Sequence, residues 1–432
     1  MTVSAPDRKH APSFGTLDKI DIAEADASAL KNGIPVFKLD AGSQELVRIE
    51  LIFPKAGAAD QPLAAVAVGT NDMLDEGTNL HTSSELAESM DYYGAFLQME
   101  ATMDFSSVCL FSLNKHLPET LPLLEEIVKQ ANFPEHEVQT YIQNKKQKFL
   151  VDEAKVSTVA RKKFTQMLFG DEHPYGHYMV EMEFDKLDRN LFAGFYASAY
   201  APTQCHIVLA GKIDPRMDGL LEKHFGAGTW ETGANQKSTK LIAVKASGQR
   251  KQYIEKKDAV QSALRIGRLM FNKTHPDYLG MQVLNTVFGG YFGSRLMSNI
   301  REDKGYTYGI GSGMVSLKQG GYFFISTEVG VDVCSKALKE IYFELNRLRT
   351  ELIGEEELSL VRNYMLGTFL RSADGPFSLA DKFKGIYDFG LDYHYYQRYI
   401  QTIKNISPEE LRNLANKYFR EEDMMELVVG KM

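Results

Sequence analysis

The 432-residue sequence predicts an α+β fold made of two homologous tandem halves, each a largely antiparallel sheet covered on one side by helices. Strand-like and helix-like segments recur at a nearly constant offset. A polar stretch rich in Gly, Ser, Thr and Lys separates the two series. Within each series strands come first, then long helices, then a closing helix and strand, which is not the order of repeated βαβ units.

The first strand is marked by Val47, Ile49, Leu51 and Phe53 alternating with Arg48, Glu50 and Ile52, the period of two that buries one face. Leu264, Ile266 and Met270 around Arg265 answer it, with Arg265 lying 217 residues beyond Arg48. Phe105 to Leu113 reads as a second strand, and Tyr322 to Val329 repeats it at the same offset. Leu121, Leu124, Val128 and Ala131 form one helical face, followed by a helix opening at residues 134–138. Ala337, Ile341, Leu345 and Leu348 make the matching face, and residues 354–358 open the matching helix, with Leu358 lying 220 residues beyond Val138. Residues 205–212 form an apolar strand closed by Gly-Lys, and residues 425–431 repeat it at an offset of 219. Landmarks confined to offsets of 217–220 imply a tandem duplication. The connector is Gly226 to Gln249, which divides the chain into residues 1–232 and 233–432.

With 49 Lys plus Arg against 57 Asp plus Glu, the net charge is −8, and no arm or face holds the basic excess that nucleic acid binding needs. Cys109, Cys205 and Cys334 lie far apart without C-x-x-C spacing and read as buried, reduced thiols. Residues 1–12 contain charges and prolines where an export signal needs an apolar run, and no stretch approaches 18 uninterrupted apolar residues. The expectation is a cytoplasmic protein with no nucleic acid and no membrane partner. His173 and His177 are separated by Pro174 and Gly176, so they read as a turn rather than as a ligand pair stacked on a helix. Residues 289–293, Gly-Gly-Tyr-Phe-Gly, lack a following Gly-Lys-Ser/Thr and read as a turn between helices.

Several segments are more specific. Residues 74–78 read Leu-Asp-Glu-Gly-Thr, residues 168–176 read Leu-Phe-Gly-Asp-Glu-His-Pro-Tyr-Gly, and residues 195–202 hold an F-Y-x-x-x-Y-x-P pattern. In the second half, Gly289-Gly290 precedes Ser294-Arg295-Leu296, and Arg301-Glu302 precedes Gly305 and Tyr308. With these motifs the whole chain resembles the pitrilysin/insulinase-type zinc metallopeptidases, the inverzincins. The likeness is to their short two-domain form, shared by mitochondrial processing peptidase subunits and the core proteins of the respiratory cytochrome complex.

In that family an H-x-x-E-H motif supplies two zinc ligands and the glutamate that activates water, and a distal glutamate completes the site. Placing Gly77-Thr78 in the family register puts Val68 at the first histidine, Asn71 at the glutamate and Asp72 at the second histidine. The distal position falls near Lys148, where pairing with Asp72 is expected over the simpler alternative that both face solvent. The resemblance therefore implies a first domain with a degenerate zinc site and no metal or other cofactor in this chain. It implies that Arg301 and Tyr308 match the family's substrate-binding arginine and oxyanion-donating tyrosine. The segment Gly94, Ala95, Phe96, Leu97 and Gln98 matches the family's substrate-binding strand imperfectly, Gln98 standing in place of asparagine.

The expected function is the non-zinc subunit of a heterodimeric metallopeptidase, inactive alone, acting on unfolded peptides with a zinc-bearing homologous partner. The alternative is a non-catalytic peptide-binding or scaffold homodimer of the same fold.

Overall fold

A computed structural model of the chain describes residues 20, 22–61, 63–227, 230 and 243–432. The boundary at 232/233 and residues 1–12 lie outside these. The strands are β1 (Asp26–Ala29), β2 (Pro35–Asp40), β3 (Leu46–Phe53), β4 (Phe96–Ala101), β5 (Ser106–Leu113) and β6 (His206–Gly211) in one sheet. The second sheet holds β7 (Lys251–Glu255), β8 (Gln261–Met270), β9 (Ile310–Leu317), β10 (Gly320–Gly330) and β11 (Met425–Gly430). Their orders are β1-β2-β6-β3-β5-β4 and β7-β11-β8-β10-β9. The duplication thus extends to topology: β2-β6-β3-β5-β4 corresponds position by position to the whole second sheet, and β1 is an added edge. In both sheets only the pairing of the closing strand with the first common strand is parallel, β2 with β6 and β7 with β11.

The period-two pattern of β3 places Val47, Ile49, Leu51 and Phe53 in a core with Leu121, Leu124 and Val128 of the helix Leu117–Gln130. Leu264 and Ile266 of β8 meet Ala337, Ile341, Leu345 and Leu348 of the helix Cys334–Thr350 in the same way. These two cores lie on the faces that each half covers with its own helices. All three cysteines are buried and unpaired, and burial pushes the Cys109 thiol up to about 12.

The opposite faces are covered by exchange. A first crossing helix, Val156–Phe169, leaves the N-terminal half and packs Phe164, Met167 and Leu168 with Ala263, Leu427 and Val429 on β8 and β11. A second crossing helix, Pro376–Tyr387, packs Leu379, Ala380 and Phe383 with Leu39, Ile52, Val208 and Ala210 of the first sheet. The two helices are equivalent in the repeat, so each half lends the same element to the other. Gly170 ends the first of them at φ +87, a conformation that suits glycine. The motif after it closes the joint: the Tyr175 hydroxyl donates to Asp104, whose Oδ2 accepts from the Lys318 backbone N–H at 2.9 Å. His173 of the same motif is buried, stacks on Phe169 and accepts from the Tyr175 N–H through Nδ1, which bears out the turn.

Arg48 and Glu50 alternate away from the first core, yet both are buried, because the second crossing helix supplies their counter-charges. Lys384 Nζ lies 2.8 Å from Glu50, and Arg48 lies 2.9 Å from Asp381 and 3.4 Å from Glu50. His206 faces the same joint, between Phe37 and Tyr387. Its burial, helped by Lys318 and Lys384, lowers its pKa to about 4. Among the described residues no helix is long and apolar enough to cross a membrane.

Removing one member of a buried pair strands the other, so Lys384→Met should cost about 3–5 kcal/mol in urea unfolding, and Glu50→Leu with Lys384→Met should recover most of it. A loss under about 1 kcal/mol would contradict the pairing. His206 is neutral when folded but protonates near pH 6.5 when unfolded, so its contribution is complete above that pH and is lost as pH falls toward 4. The loss should reach about 3 kcal/mol near pH 4, and His206→Gln should flatten the acid limb of a stability–pH curve.

Candidate functional site

The degenerate motif lies on the helix Ala64–Asp72, which packs against β4, β5 and the helix Arg189–Ala199. A Cβ at Gly69 would stand 2.7 Å from the Phe192 ring, so the two helices approach at a glycine. Val68 is half-buried. Asn71 is fully buried and donates through Nδ2 to the Ser107 carbonyl at 3.2 Å and to the Tyr200 hydroxyl at 3.0 Å. Where the family has a general base, this chain has an amide that ties a helix to a strand.

Asp72 is held by the Tyr141 hydroxyl and by Lys145 Nζ, both 2.8 Å from Oδ2. Both partners come from the helix Glu135–Glu153, one turn apart. The expected pairing of Asp72 with Lys148 is therefore corrected: Lys145 makes it, and Lys148, about one turn further on, is exposed. Counting residues fixed the distal position only to within a turn, and the helical period groups 141, 145 and 148 on one face.

The neighbouring Leu74–Thr78 segment is structural. The Thr78 hydroxyl donates to the buried Glu126 carboxylate, which also bonds His81 Nδ1 at 2.9 Å. Burial, with Glu76 and Asp72 nearby, pushes the Asp75 carboxyl up to about 6. An aliphatic side chain, an amide and an ammonium-bound carboxylate do not make a zinc site. The residues present do not fit the metal that the family carries, since zinc needs three donors and Lys145 places a cation among them.

Gly94 caps the helix Ser83–Tyr93 at φ +61, and Ala95 leads into β4, so the expected strand begins two residues later, at Phe96. β4 is the outer strand of its sheet, pairing with β5 on one side. Its residues alternate: Phe96 and Gln98 are exposed while Leu97 packs on the core. In the second half Tyr308 stands just before β9, the outer strand there, so the two candidate segments enter equivalent edges. The Thr307 hydroxyl bonds the Glu328 carbonyl at 2.7 Å and accepts from the Gly309 N–H at 3.1 Å, pinning both flanks of Tyr308. The tyrosine itself is 95% exposed. Arg301, in the helix Met297–Asp303, lies over the Phe292 ring at 4.6 Å. The expected turn at 289–293 is corrected in its bounds: Gly289 and Gly290 end the helix Thr286–Gly290, and the turn follows over residues 291–294.

Asn71→Ala should destabilise the protein by about 2–3 kcal/mol in urea unfolding, because it leaves the Ser107 carbonyl and the Tyr200 hydroxyl without their buried donor. A change below about 0.5 kcal/mol would show that the amide does not anchor this helix.

Residues 186–365 match the sequence profile of the peptidase M16 inactive domain. A Rickettsia felis protein named an uncharacterized zinc protease is 25% identical over 91% of this chain and 94% of its own length. The uncharacterized zinc protease YmxG of Bacillus subtilis is 25% identical over 82% of this chain and 86% of its own. The crystal structure of a peptidase M16 inactive domain from Pseudomonas fluorescens superposes with a TM-score of 0.83 at 22% identity, covering 94% of this chain and 98% of that one. With the duplicated sheets, the motifs in both halves and these likenesses, the chain carries a peptidase M16 inactive domain over residues 186–365 and fits a pitrilysin/insulinase-type (M16) member without the H-x-x-E-H zinc motif.

Proposed function

We propose that this chain is the non-zinc subunit of a heterodimeric metallopeptidase. A homologous partner carries the H-x-x-E-H motif, the distal glutamate and the zinc. This chain contributes Arg301, Tyr308 and the sheet edge at Gly94–Gln98 to the handling of an unfolded peptide. The observation that carries the reading is the exposure of Tyr308 on a pinned turn. A ring 95% exposed adds nothing to its own core, while its flanks are held as a positioned donor requires.

The chemistry follows from the residue types. A peptide adding to the open edge of β4 gains main-chain hydrogen bonds and places alternate side chains beside Phe96 and Gln98. The Arg301 guanidinium is a planar fork suited to peptide carbonyls. The Tyr308 hydroxyl is a neutral donor suited to the negative charge that develops on a carbonyl oxygen under attack. Three buried unpaired thiols suit a reducing compartment such as the cytoplasm.

The purified chain alone should hold no stoichiometric zinc and cleave no peptide, and one tightly held equivalent in elemental analysis would sink the reading. Mixed with its zinc-bearing homologue, Tyr308→Phe should lower kcat by about 100-fold with assembly unchanged on gel filtration. Arg301→Ala should also raise KM, because its fork holds the peptide in ground and transition states alike. Full turnover from both variants in intact complexes would instead favour the non-catalytic scaffold.

A further inference from the structure

The second half contains a cavity of about 370 Å³ that the peptidase reading does not use. It lies behind the second crossing helix, against the helices Glu355–Arg371 and His394–Asn405. Two of its lining residues, Lys273 and Lys382, are cations, and none is Asp or Glu. The rest of the wall is aromatic and hydroxylic, with Tyr364, Tyr395 and Tyr399 among the rings and Thr286 and Thr368 among the hydroxyls.

Lys382 is the unusual member. Its Nζ lies 4.1 Å from the Phe369 ring centre and 5.3 Å from that of Tyr396, and among the described residues no carboxylate pairs with it. Its neighbours on the helix, Asp381 and Lys384, are occupied with Arg48 and Glu50 at the joint between the halves. Lys273 donates to the Gly385 carbonyl at 2.7 Å, and the carboxylate that acts on it, Asp388, lies in the polar chamber between the halves. Burial lowers the pKa of both lysines, that of Lys382 to about 8. Both lysines are half-buried; ring faces offset part of the desolvation of an ammonium, and a partly desolvated cation still gains from an anionic partner. Here the cavity has the cation, hydroxyl groups and the room, and none of its lining residues is an anion.

We propose that this cavity binds a small organic carboxylate with an aromatic or branched apolar body, its anionic end on Lys382 and its body among the tyrosine rings. One ammonium with neutral hydroxyls matches a single negative charge, whereas a phosphate ordinarily draws forked guanidinium donors, and the cavity has no arginine. The volume lies at the lower end of small-molecule sites, which limits the body to roughly one ring or a short branched chain. Neither β4 nor Tyr308 lines the site, although Lys273 also lines the polar chamber that Gln98 enters, and the site stands whether or not the chain serves a peptidase.

The test is calorimetric titration of the full chain with phenylacetate, phenylacetamide and inorganic phosphate at about pH 8, in two buffers of different ionisation enthalpy. Phenylacetate should bind roughly tenfold or more tightly than its neutral amide, and more tightly than phosphate. An anion on Lys382 raises the pKa of that lysine, so binding near pH 8 should take up a proton from the buffer, and the uptake should vanish near pH 6, where the lysine is already charged. Lys382→Gln should bring the two aromatic ligands to within about twofold of each other. If that variant misfolds by circular dichroism, the acid–amide comparison and the proton uptake on the wild-type chain decide the matter. Equal binding of acid and amide, stronger binding of phosphate, or no binding of any probe at millimolar concentration overturns the proposal.

Discussion

Glu50 sits in the middle of the first sheet, all but sealed from solvent, and its counter-charge comes from the other half of the chain. A carboxylate buried there is tolerable only while Lys384 and Arg48 surround it, and Lys384 is delivered by a helix whose apolar side covers the same sheet. The first crossing helix covers the second sheet through the apolar contacts of Phe164, Met167 and Leu168. Each sheet therefore has one face filled by its own half and one filled by the other. The duplication is more than two folds in series, because neither half of the described structure covers its own sheet on both faces.

That arrangement explains what the sequence showed and what it concealed. The strands and long helices were legible because period-two and helical patterns depend only on local geometry, and their constant offset exposed the repeat before any contact was known. The crossing was not legible. Phe164, Met167 and Leu168 form an amphipathic face whichever sheet receives it. Arg48 and Glu50 occupy positions that an alternating pattern assigns to solvent, and nothing local in the sequence marks them as buried. The Leu-Phe-x-x-x-His-Pro-Tyr-Gly segment could be recognised as a family mark, but its role in tying Tyr175 and Asp104 to Lys318 needed the long-range fold.

At the candidate site the absence of ligand residue types at positions 68, 71 and 72 followed from the family resemblance, which set the register through Gly77-Thr78. What the residues there do instead was not legible. Asn71 has become a buried strap to Ser107 and Tyr200, and Asp72 is held by a tyrosine and a lysine on one helical face. Residues 71 and 72 carry packing and pairing contacts, so a histidine placed at 72 would also remove a structural contact. The second half differs: Tyr308 is exposed at the mouth of an outer strand, with its flanks fixed by Thr307.

Mutual coverage requires that the two halves unfold together, and the single tryptophan offers a direct probe of this. Trp230 packs near Phe53 and Phe225 and donates from Nε1 to the Tyr200 carbonyl at 3.1 Å, so its fluorescence reports the first half. Far-UV circular dichroism reports helices of both halves. In urea the two signals should trace one coincident transition, with a denaturant slope appropriate to the whole chain. Two separated transitions, with fluorescence and dichroism changing at different urea concentrations, would mean that the crossing helices do not join the halves into one unit.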